Sequence, residues 1–155
     1  MRRMMRIIEW MLLSVLIVQV IMVTLVPLAN LNRLSDDVRK AKKQGSFFEG
    51  SPEIQTYFGK KIRLNGVLYD GDGELSVYMT GTGKTPSKLP NRVQVQTDSG
   101  FLLDQRGSSS SNHSFRSDGD YLFSNVPQGI RSVRIFNEAY GESFSFTIPL
   151  TRGER

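Results

Sequence analysis

The six residues from Ser143 to Ile148 are Ser-Phe-Ser-Phe-Thr-Ile, in which apolar side chains alternate strictly with small polar ones. Successive side chains of a β-strand point to opposite faces of its sheet, so this spacing of two predicts a strand with one buried face. We expect the apolar members to face the core, and these are Phe144, Phe146 and Ile148. This stretch decides the fold class because the same spacing recurs along the chain from Lys60 onward.

Four further strands are predicted upstream from the same period of two. Their inward-facing positions are Ile62, Leu64, Gly66 and Leu68 in the first, Leu75, Val77 and Met79 in the second, Val93 and Val95 in the third, and Val133 and Ile135 in the fourth. Clusters of turn-forming residues separate the strands at 70–73, 82–86, 98–100, 107–114, 118–119, 127–129 and 140–141. About seven short strands with such turns predict an all-β fold, a small antiparallel β-sandwich over residues 60–150 with a tail at 151–155.

Residues 10–29 contain no charged side chain. A helix of this length reaches across a hydrocarbon core of about 30 Å, whereas the apolar part of a signal peptide is about 7–15 residues long. We therefore predict a transmembrane helix that stays uncleaved, preceded by a short cytoplasmic arm at residues 1–9. The alternatives are a removable signal sequence, disfavoured by Pro27 near the possible cleavage point, and a buried helix of a soluble domain.

Residues 30–59 are predicted to form a polar stem with two short helices. The first helix covers Leu31 to Gln44, where acids near the start and bases near the end complement the helix dipole. The second covers residues 51–59, because Ser51 can cap a helix, Pro52 suits its first position and Gly59 suits its end. We expect that second helix to lie against the sandwich by Ile54, Tyr57 and Phe58.

The formal charge of +5 is concentrated before the predicted sandwich. Residues 1–50 hold eight basic and four acidic side chains, 8 − 4 = +4, and the rest of the chain holds 12 − 11 = +1. The folded part therefore has no basic excess that would predict nucleic-acid binding. Seven basic residues are instead expected to contact anionic lipid headgroups: Arg2, Arg3, Arg6, Arg39, Lys40, Lys42 and Lys43. Basic residues flank both ends of the span, and we favour a cytoplasmic N-terminus with the C-terminal domain outside a bacterial cell membrane.

Few residues suggest catalysis or metal binding. The chain has no cysteine, and its one histidine, His113, lies in a serine-rich segment that is expected to be a flexible loop. Three acids resemble the start of a calcium loop and are weak metal candidates, although the twelfth position of such a loop is here Gly81: Asp70, Asp72 and Glu74. We expect a polar turn there and no cofactor.

Three blocks together resemble a known domain type. They are residues 66–70, with the Gly-rich turn that follows, residues 91–95, and the hairpin pattern at residues 117–129, which is the most specific. Over residues 62–148 the chain resembles the carboxypeptidase regulatory-like and Cna-B-type (prealbumin-like) sandwiches. The resemblance implies a binding, spacing or structural module and seldom an enzyme. Some Cna-B-type domains form a Lys–Asn isopeptide bond, for which the candidates here are Lys60 or Lys61 and Asn137, although exposed lysines and a turn asparagine are the favoured interpretation.

These observations predict a non-catalytic, membrane-anchored module that contacts a protein partner or an envelope polymer; its oligomeric state stays open. It could also be an accessory subunit of an envelope complex. The alternative from another class is a carbohydrate-processing or other hydrolase module that uses a carboxylate pair from among Asp70, Asp72, Glu74, Asp118 and Asp120. Exposed aromatics either form a recognition patch or cover strand surfaces, and the candidates are Tyr69, Tyr78 and Tyr140.

Overall fold

The computed structural model describes residues 2–30, 36–83, 88–113 and 115–151, and the side chains of 6–21, 37–83, 88–113 and 115–151. The chain divides into two compact units, Met1–Asp36 and Asp37–Arg155. The first unit contains helix α1 (Arg2–Asn30), which includes the helix predicted at residues 10–29. Within the described residues, none of the helices combines the length and the apolar character needed to cross a membrane. The membrane span therefore stays a prediction.

Helix α2 (Asp36–Gln44) lies within the first stem helix predicted for Leu31 to Gln44, and its residues from Asp37 onward belong to the second unit; residues 31–35 lie outside the described part. The prediction of a second stem helix at residues 51–59 is wrong. Strands β1 (Phe47–Glu49) and β2 (Ile54–Tyr57) occupy that region and both pair antiparallel with β3 (Lys60–Tyr69). The local capping pattern at 51–52 is overridden because residues 54–57 form a hairpin ladder with the strand that follows them.

The described residues form nine strands in two antiparallel sheets, which confirms the all-β class. Beyond β3 the strands are β4 (Leu75–Thr82), β5 (Gln94–Thr97), β6 (Asp104–Asn112), β7 (Arg116–Ser124), β8 (Ser132–Ala139) and β9 (Glu142–Pro149). The larger sheet has the order β1-β3-β4-β7-β6, with β2 also paired to β3, and the smaller sheet has the order β5-β8-β9. The two extra strands relative to the predicted seven come from the predicted stem.

The core lies between the two sheets and follows the predicted alternation in most strands. A single buried cluster contains the inward residues of both sheets, among them Leu75, Val77, Met79, Val95, Val133, Ile135, Phe144, Phe146 and Ile148. The sheets are also joined at one edge by Gln55. Its side-chain amide donates to the Ser145 carbonyl at 2.7 Å, and its oxygen accepts the Ser145 N–H at 2.8 Å.

Strand β3 departs from the predicted alternation at its midpoint. A bulge between Leu64 and Gly66 shifts the register, so Ile62 and Leu64 face the core and the next core residue is Val67, which is fully buried. Leu68, predicted to face inward, pairs with Ser76 on the outer face instead. One extra residue in a strand reverses the facing of everything after it, which is the physical reason for the error.

Two segments that were predicted to be turns lie in strands instead. Residues 107–112, predicted as part of a flexible loop, belong to β6 and pair with β7, and Asp118–Gly119 lies inside β7. The hairpin between these strands closes where the His113 N–H donates to the Arg116 carbonyl at 2.7 Å. Gly119 lies in a tightly packed place, because a Cβ there would lie 2.9 Å from a methyl group of Leu89 and would force that side chain to shift.

Candidate functional site

Two hairpin turns at one end of the sandwich have an unusual first residue. Phe58–Gly59 joins β2 to β3 and Tyr140–Gly141 joins β8 to β9, each turn being two residues long because Tyr57 pairs with Lys60 and Ala139 with Glu142. All four turn residues have positive φ, between 48° and 79°. Two positive φ values define the type I′ turn, whose twist suits a hairpin and whose usual sequence is Asn-Gly. Here an aromatic residue takes the place of the asparagine.

The aromatic residues hold strained backbone conformations. Phe58 has φ 48° and Tyr140 has φ 51°. The left-handed region costs a residue with a Cβ about 1–2 kcal/mol, and a bulky side chain is rare there. Strain of this kind persists only where the surroundings enforce it, and it concentrates at functional sites. The two turns are therefore the first candidates for a functional surface.

A chain of aromatic rings connects these turns to the core. Phe144 meets Tyr57 edge to face at 5.1 Å between centroids, Tyr57 meets Phe58 at 4.6 Å, and Phe58 meets Tyr140 at 6.4 Å. Exposure rises along the chain from 2% for Phe144 and 7% for Tyr57 to 44% for Phe58 and 98% for Tyr140. The Glu142 carboxylate accepts the Phe58 N–H and so ties one turn to the other. Tyr140 thus projects into solvent from a fixed base.

The electrostatic environment keeps the phenol at the base of this chain neutral. Burial raises the pKa of Tyr57 above its ordinary value, and the nearby charge of Glu142 raises it further. The Tyr57 hydroxyl is therefore protonated at neutral pH and is unsuited to act as a phenolate nucleophile. The chemistry available here is contact through aromatic surface.

A third exposed aromatic residue and several basic residues lie at the same end. Phe115 is 71% exposed and directly precedes β7. The first residue of β7, Arg116, pairs with Thr82, and Thr82 pairs with Lys61 at the start of β3. Phe115 therefore lies at the same end as the turn at Phe58–Gly59. We call the end of the sandwich that carries Phe58, Phe115 and Tyr140 the aromatic end. The charged side chains around it, apart from the Arg116–Asp118 ion pair, are Lys60, Lys61, Lys88, Arg92, Glu138 and Glu142. Four bases and two acids give this end a positive balance, 4 − 2 = +2.

The predicted metal candidates lie at the opposite end, in the turn between β3 and β4. Asp70 accepts the N–H of Asp72 at 3.0 Å, and Glu74 forms an exposed ion pair with Arg106 at 3.1 Å. These are the contacts of a polar turn. Among the side chains that the structure describes, no three His, Cys, Asp or Glu residues lie together in a way that could hold a metal ion.

The acids of the predicted carboxylate pair are divided between two places. Asp118 and Asp120 lie on the outer face of β7, far from the turn at 70–74. Asp118 accepts hydrogen bonds from the Arg116 Nε and Nη2, both at 2.9 Å, and one from the Thr80 hydroxyl at 2.7 Å. Asn65 donates to that hydroxyl at 2.7 Å. Asp120 lies opposite Tyr78, and its charge adds to the burial that raises the pKa of that phenol.

The remaining predicted residues are dispersed. His113 is exposed after β6. The Lys60 ammonium group donates to the Lys88 carbonyl at 3.1 Å, whereas the Asn137 amide donates to the Arg92 carbonyl from the other sheet. Tyr69 is half-buried and donates to the Pro127 carbonyl at 3.1 Å. Tyr140 is thus the predicted tyrosine that forms an exposed patch, and Phe58 and Phe115 join it without having been predicted.

The structure describes the side chains of five of the seven residues that were expected to contact lipid. Arg6 is exposed on α1, and Arg39, Lys40 and Lys43 are exposed on α2. Lys42 forms an ion pair with Glu49 at 3.1 Å and lies over the Phe47 ring, 5.3 Å from its centroid. The side chains of Arg2 and Arg3 lie outside the described part.

The comparisons with known proteins do not add a family. No protein-family model, no curated protein and no solved structure matches this chain. The resemblance to carboxypeptidase regulatory-like and Cna-B-type domains therefore stays a prediction, and functional inference depends on the β-sandwich and its aromatic end.

Proposed function

We propose that this protein is a membrane-anchored β-sandwich that acts as a non-catalytic binding or structural module on the outer side of a bacterial cell membrane. In this proposal α1 is a single-pass anchor with its N-terminus in the cytoplasm. The sandwich, of the carboxypeptidase regulatory-like or Cna-B type, contacts a protein partner or an envelope polymer.

The apolar surface of α1 carries the proposal. The large apolar side chains between Ile7 and Ile21 are each 45–69% exposed, and they are Ile7, Ile8, Trp10, Met11, Leu12, Leu13, Val15, Leu16, Ile17, Val18, Val20 and Ile21. Consecutive residues of a helix point about 100° apart, so apolar side chains lie on every side of this run, interrupted only by Glu9, Ser14 and Gln19. A helix that is apolar all round requires apolar surroundings, which a bilayer supplies.

A hydrolase is the alternative, and one observation keeps it in view. Asp118 and Asp120 are two residues apart on one face of β7, so their Cα atoms are separated by roughly 6.5–7 Å. Paired acids serve acid–base hydrolysis when their carboxyl groups lie about 6.5–9.5 Å apart, a separation that two side chains on one face of a strand can reach. Contacts from Arg116 and Thr80 occupy the Asp118 carboxylate, however, which favours a structural role for that residue.

The test of the anchor is fractionation of bacterial cells that express the full chain with a C-terminal tag. We expect the uncleaved chain to stay in the membrane pellet after alkaline carbonate extraction, and the tag to be digested when protease is added to spheroplasts. As the control, the double substitution Val15→Lys and Leu16→Lys places two charges in the helix and should release the chain.

Release of the unsubstituted chain by carbonate, or its recovery in a shortened form, would contradict the anchor. Protection of the tag until the membrane is broken would reverse the proposed orientation. For the hydrolase alternative, Asp120→Asn should abolish turnover of a glycoside substrate without unfolding the sandwich.

A further inference from the structure

We propose that the aromatic end docks onto the surface of an anionic lipid bilayer, with Phe58 and Tyr140 at the membrane–water interface and Lys60, Lys61 and Lys88 beside the headgroups. This contact is made by the sandwich itself. It goes beyond the proposed anchor and does not depend on whether α1 crosses a membrane.

The shape of the aromatic end favours a bilayer over an enclosed ligand. Two-residue hairpin turns are convex, and small-molecule sites are concave. The Phe58 and Tyr140 rings are inclined by 69° to each other, so they do not form the flat platform on which a sugar ring would stack. A bilayer interface is deformable and receives a convex tip, and tyrosine is enriched there because its ring is apolar and its hydroxyl is polar.

The charge distribution fits an anionic surface. The aromatic end carries Lys60, Lys61, Lys88 and Arg92, of which all but the half-buried Lys60 are exposed. The opposite end of the sandwich carries five acidic side chains in or beside its turns, Asp70, Asp72, Glu74, Asp98 and Asp104, and two basic ones, Arg106 and Arg131, so that its balance is 2 − 5 = −3. The strands and turns thus carry opposite charge balances at the two ends of the sandwich, and an anionic bilayer attracts the aromatic end.

The rigidity of the turns completes the argument. Tyr140 is 98% exposed, and its ring meets Phe58 at 6.4 Å, so its strained backbone gains little from packing within the fold. The Glu142 carboxylate and the Tyr57 ring hold Phe58 in place. A surface that is already ordered loses little conformational freedom when it binds, so the fixed Phe58 ring and the hairpin backbone that presents Tyr140 are suited to contact with an external surface.

The experiment places a fluorescent reporter at each end of the full chain. Trp10 is the single tryptophan of the sequence, so Trp10→Phe removes the background signal. In that chain Tyr140→Trp reports on the aromatic end. Phe101→Trp is the matched control, because Phe101 is 49% exposed and follows the Thr97 end of β5, opposite the aromatic end.

Both chains are reconstituted into vesicles of phosphatidylglycerol and phosphatidylcholine that contain a lipid brominated near the headgroup. We expect severalfold stronger quenching and a blue shift for the tryptophan at 140 relative to the one at 101. We also expect the quenching to weaken in phosphatidylcholine vesicles and in a chain that carries Lys61→Glu and Lys88→Glu.

Equal quenching at the two positions would overturn the proposal. A blue shift at position 140 that requires added cell-wall polymer or a protein partner, and not lipid, would also overturn it. Carbonate extraction of the same vesicles separates this inference from the anchor. A retained chain with an unquenched tryptophan at 140 refutes only the docking, whereas an extracted chain that was quenched at 140 refutes only the anchor.

Discussion

Tyr140 combines near-complete exposure with a left-handed backbone, a pairing that reduces stability without an evident gain inside the fold. Asparagine tolerates this region far better than tyrosine and is the preferred first residue of a type I′ turn. A substitution at position 140 can therefore increase the stability of the fold while it removes the exposed aromatic ring.

We expect Tyr140→Asn to raise the free energy of unfolding by about 0.5–1 kcal/mol, because it relieves the strain at φ 51°. Urea denaturation of the full chain in detergent would measure the change. Tyr140→Phe is the control and should leave the midpoint unchanged, since it keeps both the ring and the strain. A lower midpoint for Tyr140→Asn would mean that the contact with the Phe58 ring outweighs the strain.

Tyr121 makes the sandwich sensitive to alkaline pH. It is 2% exposed, and burial, assisted by the charge of Asp120, raises its pKa well above the ordinary value. Above about pH 10 the unfolded phenol loses its proton while the folded one keeps it. The folded state then binds more protons than the unfolded state, so the free energy of unfolding falls as the pH rises, by at most about 1.4 kcal/mol per unit from this residue.

Urea unfolding between pH 8 and pH 11 would reveal this slope, and Tyr121→Phe should make it shallower. The remaining slope would come from Tyr57, Tyr69 and Tyr78, whose pKa values are raised by burial first of all. At neutral pH the substitution should cost about 1 kcal/mol, because the hydroxyl donates to the Pro90 carbonyl at 2.6 Å. An unchanged slope would contradict the assignment.

At the scale of the elements, β1 depends on a glycine in its neighbour. Gly66 pairs with Glu49, and a Cβ at position 66 would collide with the Phe47 ring and the Phe48 carbonyl. We expect Gly66→Ala to destabilise the fold by about 1–3 kcal/mol and to expose the amides of β1. Urea denaturation and hydrogen exchange would measure both effects.

Gly107→Ala is the matched control for that prediction, since a Cβ at position 107 would meet nothing within 4 Å. It should change the free energy of unfolding by no more than about 0.5 kcal/mol. Equal effects of the two substitutions would show that strand propensity, and not the contact with β1, decides the loss.

The elements also show where sequence patterns succeed. The alternation in β9 and β4 predicted the buried residues correctly because each strand keeps one face on the core along its length. In β3 the extra residue at the bulge is Asn65, which is held by a hydrogen bond to Thr80, fifteen positions away. In β6 the serines have little strand propensity of their own, and the strand exists because the backbone of β7 pairs with it. Neither partner can be recognised from local spacing.

The candidate site was predictable only in part, for a related reason. Tyr140–Gly141 is recognisable as a turn, and Tyr140 was one of three candidate surface tyrosines. Phe58 was predicted to pack against the domain from a helix, whereas it lies at the tip of a hairpin next to Tyr140. The aromatic end arises where two hairpins from different sheets meet, and that meeting depends on the tertiary fold.

At the scale of the whole molecule, the division into two compact units predicts independent folding of the second. A fragment of residues 37–155 should unfold at the same urea midpoint as the full chain in detergent, because its core cluster contains no residue of α1. Near-ultraviolet circular dichroism of both chains would monitor the transition. A clearly lower midpoint for the fragment would show that α1 contributes to the stability of the sandwich.

The two hydrogen bonds between Gln55 and Ser145 have a consequence for behaviour in concentrated solution. Exposed strand edges recruit strands from other molecules and so begin fibrils. Gln55 presents to β9 the same donor and acceptor that a neighbouring strand would present, and it thereby occupies the place where a foreign strand would add. The Gln55 side chain thus blocks the addition of a strand from another molecule at this position of the β9 edge.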